Sequence, residues 1–292
     1  VTGVQTCALP ISVAKIKPVN IGGVLVSNAT LHNEDEIMRK DIRIGDTVTI
    51  ERAGDVIPHV ISVDQKKRKK TSKKFNFPKF CPSCGSSTVK DFNEITKKND
   101  AVRRCTSEGF KCEKIVIEKL KHFVSKDAFN IEGFGKKIVE KFWNIELIKF
   151  PQDIFNLNYE RIKSLDGWGN LSVSNLKYAI DNSKKVSLER FIYSLGIRHI
   201  GQENAKLLSH HLKSSNNFFI LAANKSIREL LNIDGIGETQ IKSIKKFFSN
   251  GVNLKVLSEL KKNISIFETA IDNDSGALKN KTFMFTGKLQ SI

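Results

Sequence analysis

Two sets of residues in this sequence have types and spacings that could do chemistry. The first is a cysteine cluster: Cys81, Cys84, Cys105 and Cys112 fall within 32 residues, as C-x2-C, twenty residues, then C-x6-C. A tetrahedral zinc site takes two ligand pairs brought together by a short hairpin. Cys81 and Cys84 form a standard knuckle, with Pro82 and Gly85 favouring the tight turn. The intervening stretch is polar and carries an alternating patch from Thr88 to Ile95 suited to a small hairpin. The six-residue gap before Cys112 predicts a loop rather than a second knuckle. A disulfide pair would need an oxidising compartment, and no secretory signal is visible. A thioredoxin-like couple would need a C-x-x-C opening a helix in a βαβ unit, and CPSCGSS sits in a polar loop. Zinc is the reading the spacing favours. Four thiolates close the coordination sphere, so the metal would be structural, stapling a stretch with little core of its own.

The second set is a family of glycine turns. NIEGFGKKIVEKF (130–142), SLDGWGNLSVSNL (164–176), GIRHIGQENAKLL (196–208) and NIDGIGETQIKSI (232–244) align. Each has an apolar residue, a G-x-G-like turn, and then apolar residues three and four apart, as on a helix. The second glycines are Gly135, Gly169, Gly201 and Gly237, separated by 34, 32 and 36 residues. Such turns let the backbone approach an anion, and the free N–H groups of the turn and the following helix can meet a phosphate oxygen. Nothing in the motif reads a base, so four copies predict a helix-hairpin-helix array that binds phosphates without sequence preference. The candidate contacts are Gly133, Gly135, Gly167, Gly169, Gly201, Gly235 and Gly237. The third copy has His199 where the first glycine would stand; a non-glycine tolerates positive φ less well, which weakens phosphate binding there.

These residues need elements to hold them. The chain has 292 residues, enough for several domains, with 40% hydrophobic and 27% charged residues. No apolar run is long enough to span a membrane. The formal net charge is +17, which favours a polyanionic partner, nucleic acid above all. Seven of the nine residues from Lys66 to Lys74 are basic, a run that reads either as a solvated linker or as part of that polyanion surface. From Val13 to about Phe77 the sequence reads mostly β, with VLVS, DTVTIERAG and VIPHVISVD as strands and one short helix in ATLHNEDEIMRKDI, N-capped by Thr30. Five or so strands and a helix fit a small Greek-key barrel of the oligonucleotide-binding (OB) type, or another small β domain. After Cys112 the chain reads helical to about Ile271, with Phe123, Phe129, Phe134 and Phe142 fitting a helical core. Trp143 and Trp168 read as core rather than base-stacking platforms. His122, His199, His210 and His211 lack metal-ligand spacing. DNDSGALKNKT (272–282) is a polar linker, and FMFTGKL opens a further β segment. The first residues, VTGVQTCALPI with Ser12, read as the translation of a sequencing adapter, a scar set aside from fold reasoning together with Cys7.

A barrel, a four-cysteine module, four helix-hairpin-helix repeats and the start of a last domain, in this order, resemble the C-terminal two-fifths of bacterial NAD-dependent DNA ligases. VSNATLHNEDEI (26–37) and DTVTIERAGDVIPHV (46–60) look like that family's barrel. RCTSEGFKC with KLKHFVSKDAFNIEGFGKKIVEKF looks like its zinc-to-hairpin junction. SLGIRHIGQENAKLL looks like its third hairpin, the His-for-Gly departure included, and KTFMFTGKL like the start of its BRCT domain.

The resemblance implies a multidomain α+β protein. Its parts are an adapter scar at 1–12, an OB fold at 13–77, a four-cysteine zinc finger at 78–113, an all-α helix-hairpin-helix domain at 114–271, a linker at 272–280 and a truncated BRCT domain at 281–292. It implies a monomeric, bacterial, cytoplasmic and nucleoid-associated protein. It also implies nick sealing in duplex DNA: a lysine adenylylated from NAD passes AMP to a 5′-phosphate, and the 3′-hydroxyl displaces AMP with magnesium. The family's K-x-D-G motif is not found in this sequence, so the fragment is expected to be the inactive, DNA-clamping half. In the barrel, Ser27, Asn28, Thr30, His32, Arg52 and Asp55 lie in the family-like strings. Arg52 is the candidate DNA contact, against the reading of an ordinary surface arginine. Two other functions compete: a standalone structural DNA-binding module, and a repair-nuclease subunit.

Overall fold

The computed structural model describes residues 4–5, 11–52, 57–93, 97–221 and 225–268. The expected linker and BRCT start, and Asp55, lie outside them.

The first unit is a five-stranded sheet with one helix. Its elements are β1 (Val4–Gln5), β2 (Ile11–Ile21), β3 (Val24–Thr30), α1 (Glu34–Arg39), β4 (Val48–Glu51) and β5 (His59–Val63). The strand order is β1-β2-β3-β5-β4. β2 and β3 pair antiparallel, as do β4 and β5, while Thr30 opposite His59 joins β3 to β5 in parallel. Ala29, Leu31, Ile37, Ile42 and Val60 form the core, with Phe75 and Phe77 closing it from the far end of the basic run. The helix is capped by Asn33, whose Oδ1 accepts from the Glu36 N–H at 2.9 Å. This corrects the expectation for Thr30, which is the last residue of β3 and whose Oγ1 accepts instead from the His32 N–H. The boundary after residue 12 falls inside β2, and the Leu31 N–H donates to the Ser12 carbonyl at 2.7 Å.

The basic run is not uniformly solvated. Arg68 turns inward, donating to Asp46 at 2.8 Å and to Asp41. Asp46 raises the guanidinium's pKa further, with Asp41 second. Local charge counting could not reveal this, because the partners lie 22 and 27 residues earlier in the chain.

The second unit is small. β6 (Thr88–Asn93) and β7 (Lys98–Cys105) form an antiparallel hairpin between the two cysteine pairs. The third unit holds α2 (Glu113–Val124), α3 (Lys136–Asn144), α4 (Tyr159–Lys163), α5 (Asn170–Ser183), β8 (Lys185–Ser187), α6 (Leu188–Ser194), α7 (Gln202–Leu212), α8 (Ser215–Ile220), α9 (Glu238–Phe248), α10 (Gly251–Asn263) and β9 (Ser265–Phe267). One continuous core runs through it. Phe123, Phe134, Phe142, Phe191 and Phe218 are each at most 1% exposed, and fully burying such a ring is worth about 1.5–3 kcal/mol. Trp143 and Trp168 pack against this core, as expected. The expectation that this unit is all-α needs correction, while its limit at Ile271 lies outside the described residues. After α10 the chain runs beside residues 185–187, and β8 and β9 form a short parallel pair, with the Ser265 N–H donating to the Lys184 carbonyl at 2.8 Å. Two three-residue strands are too short to show a periodicity of their own.

Candidate metal centre and nucleic-acid interface

The four expected cysteines converge. Their sulfurs all lie within 4.8 Å of one another, and all four are free thiols. Cys84 and Cys105 Sγ are 3.5 Å apart, and Cys81 and Cys112 Sγ 3.9 Å. Four sulfurs placed about 2.3 Å from a tetrahedral zinc ion would be about 3.8 Å apart, so the cluster has the size of a zinc cage. The knuckle is locked by the Gly85 N–H on the Cys81 carbonyl and the Cys81 N–H on the Ser86 carbonyl. Cys105 ends β7, and Cys112 is the N-cap of α2, so residues 106–111 are the expected loop. Hydrogen bonds from Ser86 pull the Cys84 thiol below its ordinary pKa, whereas burial pushes Cys105 up. A bound divalent cation overrides both, since a coordinating thiol is deprotonated outright. The donor set fits zinc, with Cys81 and Cys112 buried and no position left for a substrate.

The four glycine turns share one backbone geometry. In each, the apolar residue after the first glycine position donates its N–H to the carbonyl three residues back. The pairs are Phe134 to Ile131, Trp168 to Leu165, Ile200 to Ile197 and Ile236 to Ile233, at 3.0–3.2 Å. The residue before each donor has positive φ: Gly133 at 74°, Gly167 at 80°, His199 at 62° and Gly235 at 88°. His199 therefore adopts the glycine conformation despite its side chain. Burial, then Arg198 and Arg104, push its imidazole below the ordinary pKa.

Gly135, Gly169, Gly201 and Gly237 are the N-caps of α3, α5, α7 and α9. Their backbones are extended at negative φ, which any residue can adopt. The first-turn N–H groups they introduce have no partner within the helix and carry its positive dipole end. A Cβ added at Gly133, Gly135, Gly167, Gly169 or Gly201 would meet nothing within 4 Å. Gly133 and Gly167 line one open groove together with Lys137, Lys141 and Arg190. The fourth turn differs: a Cβ at Gly235 would come within 3.0 Å of Leu207, and the Gly237 N–H already donates to Gln240 Oε1 at 3.2 Å. Sequence spacing alone could not separate that closed turn from the open ones.

Arg52 follows the last residue of β4 and is partly buried, on a different unit from the glycine turns. Ser27 and Asn28 lie on β3, where Asn28 Nδ2 donates to Ser27 Oγ. His210 and His211 sit exposed at the end of α7, and His122 Nε2 meets the Tyr193 carbonyl at 2.8 Å.

Comparison with known proteins agrees with this architecture. The family model for the NAD-dependent DNA ligase OB-fold domain matches residues 7–72, and a helix-hairpin-helix motif matches residues 190–257, which span the third and fourth turns. A DNA ligase of Pelagibacter ubique is 72% identical over 280 residues, covering 96% of this chain and 41% of that protein. A DNA ligase of Wolbachia pipientis subsp. Culex pipiens is 46% identical over 296 residues, covering all of this chain and 43% of its own length. One from Xanthobacter autotrophicus is 43% identical over 298 residues, with 96% and 41% covered. The chain thus spans about two-fifths of the length of the curated relatives it matches. With a barrel matching the family's own OB fold, a helix-hairpin-helix unit and relatives along its whole length, the chain belongs to the NAD-dependent DNA ligase family, as a C-terminal portion of it.

Proposed function

We propose that this chain is the DNA-clamping portion of a ligase that seals nicks between 5′-phosphate and 3′-hydroxyl ends in duplex DNA. The observation that carries the reading is the repeated turn. Four turns present helix N-termini under glycine, and five of the seven candidate glycines have open space where a side chain would be. Amides in that arrangement suit phosphate oxygens and read no base. Gly133, Gly135, Gly167, Gly169 and Gly201 are the contacts the geometry favours; at Gly237 the Gln240 cap must first yield, and Gly235 sits against Leu207. Arg52 serves as a barrel contact near the nick in this reading.

Cys81, Cys84, Cys105 and Cys112 would hold a structural zinc ion, which supplies folding energy and no chemistry. NAD and magnesium belong to the adenylylation chemistry of the parent enzyme, and no residue named above is assigned to them. The domain limits stay those of the resemblance, with the barrel over 13–77, the zinc module over 78–113, the array over 114–271, the linker over 272–280 and the BRCT start over 281–292. The proposed state is a cytoplasmic monomer on nicked duplex. No helix among the described residues is long and apolar enough to cross a membrane.

Complementation tests the proposal. The chain is mixed with a separately produced adenylylation portion of a relative and a nicked duplex carrying a 5′-phosphate. Restored sealing is expected. Tight duplex binding without sealing, where the relative's own C-terminal portion restores it, would leave a standalone DNA-binding module instead.

A further inference from the structure

The second turn position is acidic in three hairpins, Glu132, Asp166 and Asp234, and basic in the third, Arg198. Arg198 has partners far away in sequence. Its guanidinium pairs with Asp91 of β6 and lies 3.8 Å from Asp100 of β7. Those carboxylates stand on one face of the zinc hairpin, where Arg104 also reaches Asp100 at 3.0 Å.

Successive residues of a strand point to opposite faces. Arg103, the neighbour of Arg104, points the other way and grips Glu34 in the first turn of α1 through two hydrogen bonds of 3.0 and 3.1 Å. Lys90, the cross-strand partner of Arg103, reaches Glu34 and Asp35 on the same side. The hairpin is therefore basic toward the acidic start of α1 and acidic toward the arginine of the third turn. A second tie on the array side joins Glu108, in the loop between Cys105 and Cys112, to Lys246 of α9 at 3.0 Å.

We infer that the β6–β7 hairpin is a charged strut that sets the spacing between the barrel and the helical array, and that Arg198 is the positioning residue that fixes the third helix-hairpin to it. The barrel joint is the firmer one, with Glu34 only 11% exposed. The array joint is exposed at both ends, Arg198 at 44% and Asp91 at 41%, so it is the joint that salt and mutation weaken first. The consequence for binding rests on the reading that barrel and array grip one duplex; the spacing itself does not.

The test uses the full chain with Asp91→Arg/Asp100→Arg, with Arg198→Asp, and with all three changes together. Zinc content and thermal melting verify the fold of each variant. Replacing two carboxylates by arginines makes the protein more basic, so simple electrostatics predicts tighter binding to a nicked duplex. The strut predicts the reverse: a loss of about fivefold in the Asp91→Arg/Asp100→Arg variant, with the triple swap returning to within about twofold of the parent. Unchanged or tighter binding in the former, or failure of the swap to restore it, overturns the inference. Small-angle scattering without DNA gives an independent reading, with a broader distance distribution expected for Arg198→Asp alone. A profile identical to the parent's overturns the strut even if the parent chain binds no DNA, an outcome that would refute the proposed function separately.

Discussion

Gly135→Ala separates a glycine needed for the fold from a glycine needed for a ligand. Gly135 has φ −71° and ψ 172°, an ordinary extended conformation for an N-cap, and a new methyl would meet no atom within 4 Å. Two small effects on stability oppose each other. Alanine restricts the unfolded chain, worth about 0.4–1 kcal/mol, and is a poorer N-cap than glycine by a similar amount. Their near-cancellation leaves the melting temperature within about 2 °C. Binding has no such compensation. A methyl over the first-turn amides holds a phosphate oxygen away, and a hydrogen bond to a charged group contributes about 1.5–3 kcal/mol. Affinity for a labelled nicked duplex, measured by fluorescence anisotropy, should therefore fall about 10- to 100-fold. The amides carry no net charge, so the slope of log affinity against log salt should hardly change. Gly235→Ala is the contrasting case: positive φ and Leu207 at 3.0 Å should destabilise it, so its binding loss would not be diagnostic. Full affinity in Gly135→Ala, or a loss that merely tracks a fall in melting temperature, would refute the phosphate reading of the turn.

Other perturbations act elsewhere. Lys137→Ala, in the groove shared by Gly133 and Gly167, should weaken binding and lower the salt slope by about 1, which titrations at several salt concentrations will measure. Cys105→Ser should remove bound zinc, read by metal analysis, and unfold the 78–113 module; a folded, zinc-free variant would count against the staple. The barrel should be acid-sensitive. Hydrogen bonds from Arg43 and then Arg68 hold the Asp41 carboxyl down to about 2. Its contribution is complete above the unfolded value near 4 and is lost as the pH falls toward 2, so barrel melting followed by circular dichroism should weaken across that window and not above it.

Much of the candidate site was legible because its signals are local. A C-x2-C knuckle is a turn, and its chemistry follows from residue type and spacing within a few residues. An apolar residue, a positive-φ position and an N-cap glycine recur together because each turn satisfies its own backbone, so four copies could be aligned without a fold. His199 shows the reach of that logic, since the turn imposes φ 62° on a histidine. The Thr30 assignment failed at the same scale: a threonine before a helix is an acceptable cap in isolation, but pairing with Val13 and His59 keeps it in a strand.

The amino-acid sequence by itself determined the order of barrel, cysteine module and helical repeats, the four cysteines that could hold a metal, and the backbone shape of each turn, because these depend on residue types and on contacts within one turn or one strand. Only the tertiary structure decided which turns stand open, that Gln240 closes the fourth, that Arg68 belongs to Asp41 and Asp46, and that Arg198 belongs to Asp91 and Asp100. Those outcomes join residues 22 to 107 positions apart, except for the Gln240 cap three residues away. A charge far along the chain leaves no periodic trace near its partner, and a side chain that can cap an amide or point to water chooses between them only when its surroundings are in place.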